Sequence, residues 1–322
     1  MTKKDIFLTK ENEKKKKAWP DFSLWGQRLI QGSQDNESSK QATLPPALYV
    51  VATPIGHLGD ISLRALWTLS QVDAVLCEDT RVTGGLLHHY GIKKPLISCH
   101  DHNEASRSLE VMARLAAGER LALVSDAGTP LISDPGFRLV RACRLAGHEV
   151  IALPGASAVL TALASSGLAT DRFLFVGFLP VKTKARQQAL QEASRTKATL
   201  VFYESAQRLA ATLADMAAVL SGTRMATMAR ELTKLHEEVV TAPLAELAAR
   251  YGEADAPPKG EVVILVEAGE EQTLSDEDID QALREALKTL SVRDAAATVA
   301  AALGLKKTAT YQKALNLVEN DA

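Results

Sequence analysis

Short apolar segments alternate with amphipathic segments in the first half of the chain. The apolar segments have the length of strands that are buried on both faces, and they span residues 48–52, 74–77, 96–99, 121–124 and 149–153. Helical patterns lie between and after them, at residues 63–69, 84–90, 104–117, 137–146 and 156–166. The alternation predicts an α/β domain over residues 47–168, with a parallel sheet that helices cover on both faces.

The pattern changes after Asp171. An aromatic run at 173–180 precedes a basic segment, and further strands are predicted at 199–202 and 261–266 with helices between them. We therefore predict a second α/β domain over residues 169–268, with a mixed sheet.

The first 46 residues differ from the rest of the chain. Lys14–Lys17 is a run of charge, and residues 31–41 form a polar tract of Gly, Ser, Asn and Gln. This composition predicts a disordered, Lys-rich leader. An alternative is a short amphipathic docking segment, because Trp19, Phe22 and Trp25 lie between the two tracts.

Composition and charge exclude several classes of protein. Hydrophobic residues make up 46% of the chain and its net charge is −2, so it is neither wholly disordered nor a broadly basic nucleic-acid coat. No apolar run approaches the roughly 20 residues of a membrane span, and no secretory or mitochondrial signal is readable, so we predict a cytoplasmic protein. Cys77, Cys99 and Cys143 form no CxxC pair, which fits reduced thiols.

The loop after the strand at 121–124 has the composition of a ligand site. Residues 125–136 are rich in Gly, Pro, Ser and Asp and contain no Lys or Arg. Phosphate sites normally include a cation, so Asp126, Ser133 and Asp134 favour a ligand with ammonium, sulfonium or ribose hydroxyl groups. S-adenosylmethionine carries all three. Polar loops at 53–60 and 154–158 also follow strands, and together the three loops predict one cleft at one edge of the sheet.

Other common signatures are absent or weak. The chain has no Gly-x-Gly-x-x-Gly, no Walker loop and no Gly-x-Ser-x-Gly, so nucleotide-binding Rossmann, P-loop and hydrolase functions lack support. His100 and His102 lack the further ligands of a tetrahedral site, so no metal is predicted. The Glu78-Asp79-Thr80-Arg81 segment is either a helix cap with a local ion pair or part of the cleft.

Several motifs together resemble one family, ribosomal RNA small subunit methyltransferase I, whose fold is that of the tetrapyrrole methylases. They occur in order along residues 47–318 as Thr53-Pro-Ile-Gly-x-Leu-x-Asp60, Glu78-Asp-Thr-Arg81, His100-Asp-His-Asn-Glu104, Ser125–Gly136, Leu153-Pro-Gly155, Phe202-Tyr-Glu-Ser205 and Arg230-Glu-Leu-Thr-Lys234. The resemblance implies a homodimer of two α/β domains that hold S-adenosylmethionine in the cleft between them. It also implies methyl transfer to the 2′-hydroxyl of a cytidine in the decoding centre of 16S rRNA, in the free rRNA or in the small subunit.

The resemblance also implies which residues bind the cofactor. They are Pro54, Asp126, Ala127, Gly128, Thr129, Pro130, Ser133, Pro154, Gly155, Ala156, Ser157, Ala158 and Tyr203. One residue departs from the family pattern: His57 stands where the family usually has Asn, which leaves its role open.

A ribose hydroxyl is a poor nucleophile, so a general base would assist the transfer. Glu78, Asp79 and His102 are the candidates, in that order, because each lies in a loop expected at the cleft. Arg81, Arg230 and Lys234 are predicted to contact RNA phosphate, with surface ion pairing as the alternative.

Three helical segments at 276–290, 292–303 and 306–317 predict a C-terminal module over residues 275–318. Its last helix is basic, so Lys306, Lys307 and Lys313 are predicted to contact the RNA backbone, against the alternative of an exposed charged face. Two other functions stay open: methylation of a porphyrin or corrin precursor, and RNA binding without enzymatic activity.

Overall fold

The structure, a computed structural model, describes residues 44–100, 103–253, 259–269, 276–303 and 305–320. The chain divides into two compact units, one ending at Gly269 and the other beginning at Glu270. Nearly all of the predicted leader, and His102, lie outside the described residues. The predicted domain boundaries stay a prediction. Within the described part of the chain, we find no helix with the length and apolar character of a membrane span.

The first sheet is parallel. Its strands are β1 (Leu48–Val51), β2 (Ala74–Cys77), β3 (Leu96–Ser98), β4 (Leu121–Leu123) and β5 (Val150–Leu153). Their order is β3-β2-β4-β1-β5, and each neighbouring pair is parallel. Alternate side chains enter two apolar cores, with Tyr49 and Val75 in one and Leu48 and Leu76 in the other. The prediction of a parallel sheet covered on both faces is confirmed.

Helices connect these strands and follow the last of them. They are α1 (Leu63–Gln71), α2 (Thr80–His89), α3 (Glu104–Ala116), α4 (Phe137–Leu145) and α5 (Ala158–Ser166). The predicted start of the second helix, at residue 84, is wrong. The helix begins four residues earlier because the Asp79 carboxylate accepts the backbone N–H of Arg81 at 2.8 Å and caps it.

The second sheet is mixed, as predicted. Its strands are β6 (Phe173–Phe178), β7 (Thr199–Ser205), β8 (Met225–Arg230), β9 (Glu238–Pro243) and β10 (Glu261–Val266), in the order β6-β7-β10-β8-β9. Only the β6–β7 pair is parallel in this described sheet. Strands β8 and β9 were not predicted, because their mixture of Ala, Thr, Met and Val carries little alternation.

Different helices cover the two faces of the second sheet. On one face, α6 (Thr183–Ser194), α7 (Leu209–Leu220) and α8 (Leu244–Gly252) contribute to the core that contains Phe202 and Ile264. On the other face lies α5, whose Val159 and Leu163 pack with Val201. Because α5 follows β5 directly, this packing holds the loops of the first sheet against the second.

The second unit consists of α9 (Asp276–Leu287), α10 (Val292–Leu303) and α11 (Lys307–Asn320). Leu283, Ala296, Val299, Ala314 and Leu317 form its core. The three predicted helical segments are therefore confirmed.

Helix α4 is capped by a side chain from another helix. Its N-cap residue is Gly136, which has no side chain to accept a hydrogen bond. The Glu104 carboxylate, at the start of α3 and only 3% exposed, accepts the N–H of Leu139 at 2.9 Å instead. A carboxylate is favourable here because the N-terminus of a helix is electropositive. Glu104 thus joins two helices that support the loops of the site.

We expect Glu104→Ala to lower the free energy of unfolding by about 1–3 kcal/mol, because it leaves the buried N–H of Leu139 without an acceptor. Glu104→Gln keeps an oxygen acceptor of similar size and should cost less. Urea denaturation of both variants measures the difference. Equal losses would contradict a role based on the accepted hydrogen bond.

Candidate functional site: a cavity between the two sheets

Three loops meet at the carboxyl ends of β1, β4 and β5. Thr53 and Gly128 exchange backbone hydrogen bonds of 2.9 and 3.0 Å, which joins the first loop to the second. The Thr129 hydroxyl donates to the carbonyl of Ala156 at 3.0 Å and joins the second loop to the third. The loops that the sequence placed at one edge of the sheet therefore lie in direct contact.

A cavity of about 390 Å³ lies between these loops and the second sheet. Eight of the predicted cofactor-binding residues line it, namely Asp126, Ala127, Gly128, Thr129, Ser133, Ser157, Ala158 and Tyr203. The other five are not part of its wall: Pro54, Pro130, Pro154, Gly155 and Ala156. The cofactor contacts of these five residues stay a prediction. Two of the five make contacts that hold the loops together. Gly155 approaches β1 so closely that an added Cβ would lie 2.7 Å from Cβ of Ala52, and Ala156 accepts from Thr129.

The wall from the second sheet includes residues that sequence reasoning missed. Phe178, Glu204 and Glu261 line the cavity beside Tyr203. Glu204 belongs to the Phe202-Tyr-Glu-Ser205 motif, so the motif was a usable signal. Phe178 and Glu261 are assigned only by the strand pairing, which places the end of β6 and the start of β10 beside the end of β7.

The loop after β8 brings a lysine to the cavity. Glu231 and Thr233 have left-handed backbone conformations, with φ of 51° and 63°, and between them they turn the chain back. The Lys234 ammonium lines the cavity and donates to Glu231 at 2.9 Å and to Glu261 at 3.0 Å. Burial lowers the pKa of Lys234, but these carboxylates outweigh burial and raise it. The ammonium is therefore held as a charged group.

The same loop packs against the first sheet at Gly56. A Cβ on Gly56 would lie 2.5 Å from Cγ of Lys234 and 2.7 Å from Oγ1 of Thr233, so only glycine fits. The next backbone N–H, of His57, donates to Oγ1 of Thr233 at 3.0 Å. Nδ1 of His57 in turn accepts the N–H of Gly59 at 3.0 Å and caps a short 3₁₀ helix. An Asn side chain offers the same kind of acceptor at an N-cap.

Two of the three catalytic candidates, Glu78 and Asp79, lie beside the cavity and do not line it. Asp79 caps α2 and forms an ion pair with Arg81 at 2.6 Å, and these hydrogen bonds lower the pKa of Asp79 to about 2. Its own N–H donates to Asp126, which does line the cavity, at 3.2 Å. Glu78, at the end of β2, is exposed, and it acts electrostatically on Asp134. The third candidate, His102, lies outside the described residues.

Two groups in the wall have strongly shifted pKa values. Burial, aided by the charges of Glu78, Asp126 and Glu261, raises the pKa of Asp134 to about 6, although a hydrogen bond with Ser125 opposes the rise. Burial also raises the pKa of Tyr203 to about 12, with contributions from Asp134 and Glu261. Negative charge in this cavity is therefore poorly compensated.

The predicted RNA-contacting residues differ in how available they are. Arg81 has 89% of its side chain exposed. Arg230 has 18% exposed and pairs with Glu238 at 3.1 Å. Lys313 contacts Asp276 at 2.6 Å and Asp280 at 3.2 Å, both on α9. For Lys313 these contacts favour a role in holding the helices of its own unit together, whereas Lys306 and Lys307 are exposed. All of these RNA contacts stay predictions.

Similarity to known proteins first identifies the class of protein to which this chain belongs. Residues 47–248 match the family described as tetrapyrrole (corrin/porphyrin) methylases, and residues 273–317 match the RsmI C-terminal HTH domain. The crystal structure of diphthine synthase shares the fold, with a TM-score of 0.54 at 15% identity, over 69% of this chain and 90% of that one. The fold is therefore that of a tetrapyrrole methylase, as expected.

Closer relatives give the family. The chain is 50% identical over 272 residues to ribosomal RNA small subunit methyltransferase I of Pasteurella multocida, which covers 83% of this chain and 96% of the relative. It is 48% identical over 275 residues to the protein of the same name from Haemophilus influenzae, over 84% and 97% of the two chains. The chain belongs to the ribosomal RNA small subunit methyltransferase I family.

Proposed function

We propose that this protein transfers a methyl group from S-adenosylmethionine to the 2′-hydroxyl of a cytidine in the decoding centre of 16S rRNA. The observation that carries the proposal is the acidic, partly aromatic cavity between the two sheets, in a chain that is 50% identical to a ribosomal RNA small subunit methyltransferase. We also propose a cytoplasmic homodimer, as the family resemblance implies.

The cavity fits the proposed cofactor in size and in chemistry. Its volume of about 390 Å³ lies in the range of small-molecule sites. Its wall offers carboxylates at Asp126 and Asp134, hydroxyls at Thr129 and Ser133, and the aromatic side chains of Tyr203 and Phe178. S-adenosylmethionine supplies an electrophilic methyl group when it is bound. The protein's task is to hold the acceptor hydroxyl in line with that group, and positioning alone is worth several kcal/mol.

Glu78 remains the first candidate for the general base. A good base has a pKa near the working pH, so a carboxylate with a pKa of about 2 accepts protons poorly. Asp79 is also committed to the N-terminus of α2 and to Arg81. Glu78 is exposed beside the cavity, where an RNA ribose has access. His102 stays the third candidate.

The reaction is tested by mass spectrometry of 16S rRNA from a strain that lacks the gene. We expect one ribose methyl in the decoding centre to be lost and to return when the full-length protein is supplied. Purified protein that methylates a porphyrin or corrin precursor and leaves small ribosomal subunits unmodified would instead favour the tetrapyrrole function.

We expect Glu78→Gln to lower the single-turnover methylation rate about 100-fold, because it removes the proton acceptor and leaves the size of the side chain unchanged. Glu253→Gln, the same change at an exposed position at the end of α8, is the matched control. A larger loss in Asp79→Asn than in Glu78→Gln would transfer the role to Asp79.

The exposed lysines at the start of α11, Lys306 just before it and Lys307 at its first position, are the best supported RNA contacts in the C-terminal unit. We expect the double variant Lys306→Ala/Lys307→Ala, in the full chain, to weaken RNA binding and to reduce the salt slope by about 1 for each phosphate that the lysines neutralise in the unmodified protein. Lys93→Ala/Lys182→Ala removes the same charge from exposed positions elsewhere and serves as the control. A slope equal to that of the unmodified protein would count against this surface.

A further inference from the structure

A bulge in β6 brings three aromatic rings together, and two of them, Phe178 and Tyr203, line the cavity. Phe175 pairs with Val201, but Gly177 pairs with Phe202 and Phe178 with Tyr203, so the register shifts between 175 and 177. The shift turns both phenylalanines to the face that carries Tyr203. The Tyr203 ring lies 4.9 Å from Phe175 and 5.5 Å from Phe178, centroid to centroid, in edge-to-face geometry.

The bulge also brings the loop after β4 against these rings. Gly177 has φ of 77°, and a Cβ there would lie 3.3 Å from Oγ of Ser133. Ser133 itself has φ of 65°, so the chain turns sharply at this contact. Asp134, the next residue, lines the cavity together with Phe178 and Tyr203. It is also close enough to Tyr203 to act electrostatically on the phenol.

The charges of the cavity wall do not balance. Four carboxylates of the described residues line it, at Asp126, Asp134, Glu204 and Glu261, whereas Lys234 is the one Lys or Arg. Lys234 pairs with Glu261 at 3.0 Å. The negative charge of Glu204 is also compensated. Its carboxylate lies 3.3 Å from the guanidinium Nε of Arg208 and accepts the Thr212 hydroxyl at 2.6 Å.

Asp126 and Asp134 are left without such a cation within the described part of the chain. Asp126 accepts the backbone N–H of Asp79 at 3.2 Å. Asp134 faces Glu78, Asp126 and Glu261 as charged neighbours, with Tyr203 and Ser125 as its polar ones. A ligand cation placed next to Asp134 would offset the repulsion from the three other carboxylates.

We infer that Asp134 and the rings of Tyr203 and Phe178 form a charge-selective subsite, which binds the sulfonium of S-adenosylmethionine in preference to the neutral thioether of S-adenosylhomocysteine. This inference rests on the proposed function. A carboxylate attracts the sulfonium by Coulomb interaction, and aromatic faces attract cations of low hydration through their quadrupoles.

The subsite has a consequence for turnover. In the transfer, the bond from sulfur to methyl breaks, its electron pair stays on sulfur, and the new bond forms from the ribose oxygen, whose proton goes to the base. The sulfur thereby loses its positive charge, so both attractions vanish. The product is held less tightly than the donor, although the two share the adenosine, amino and carboxylate groups.

Titration calorimetry at pH 8 with each ligand tests the inference. We expect Asp134→Asn to weaken binding of S-adenosylmethionine about tenfold and binding of S-adenosylhomocysteine less than twofold. Asp171→Asn, the same change at an exposed position that does not line the cavity, should alter neither affinity. Equal losses for the two ligands, or no loss for either, would overturn the inference.

The pH dependence of the unmodified protein gives a second test that needs no variant to fold. A carboxyl with a pKa of about 6 is about one-tenth ionised at pH 5. With the neutral side chain binding the donor about tenfold more weakly, as expected for Asp134→Asn, donor affinity should be about fivefold weaker at pH 5 than at pH 8. The donor-to-product affinity ratio isolates this effect, because the other carboxylates near Asp134, those of Glu78, Asp126 and Glu261, act equally on the groups that the two ligands share. A donor-to-product ratio that does not vary with pH would contradict the assignment.

These outcomes separate the inference from the function on which it rests. If the unmodified protein bound neither ligand, alone or with small ribosomal subunits, the proposed cofactor would be wrong. If it bound both ligands with the same ratio before and after Asp134→Asn, the cofactor would stand and the charge-selective subsite would not.

Discussion

The cavity depends on the close contact between the loop after β1 and the loop after β8. Gly56 allows the contact, because the space of a side chain is filled by Lys234 and Thr233. The second loop turns back through two residues with left-handed backbone conformations, Glu231 and Thr233, and each conformation destabilises the fold by about 1–3 kcal/mol. The Glu261 backbone, which exchanges hydrogen bonds with Glu231, and the N–H of His57 hold that turn in place. The position of Lys234 and the width of the cavity follow from this packing.

Several polar residues at and around the site form hydrogen bonds or ion pairs that stabilise the fold. Asp79 caps the N-terminus of α2, His57 caps a 3₁₀ helix, and Glu104, which lies in α3, caps the N-terminus of α4. Lys234 and Arg230 pair with carboxylates of neighbouring strands and loops. Few charged groups of the cavity wall are therefore left to interact with a ligand. Among them is Asp134, whose pKa is raised to about 6.

The sequence predicted the first sheet almost residue by residue, because each strand is a short apolar segment between turn-forming residues. It also predicted the meeting of the three loops, since the ends of parallel strands share an edge. It missed β8 and β9: β8 pairs with β10, which lies far from it in the chain, and β9 in turn pairs with β8. The same limit applies to the cavity: Phe178 and Glu261 become neighbours of Tyr203 only through strand register and a bulge. Lys313 was assigned to RNA on charge and helical spacing, which do not reveal the acidic partners on α9.

The place of β10 in the second sheet has a consequence for synthesis on the ribosome. It lies between β7 and β8, although it is the last of the five strands in the chain. Until residues 261–266 have emerged, β6–β7 and β8–β9 are two separate ribbons, each with an open edge, and isolated two-stranded ribbons are marginally stable. The growing chain therefore carries unpaired β edges from the completion of β7 until β10 has been made, and open edges of this kind are where nascent proteins need protection from aggregation.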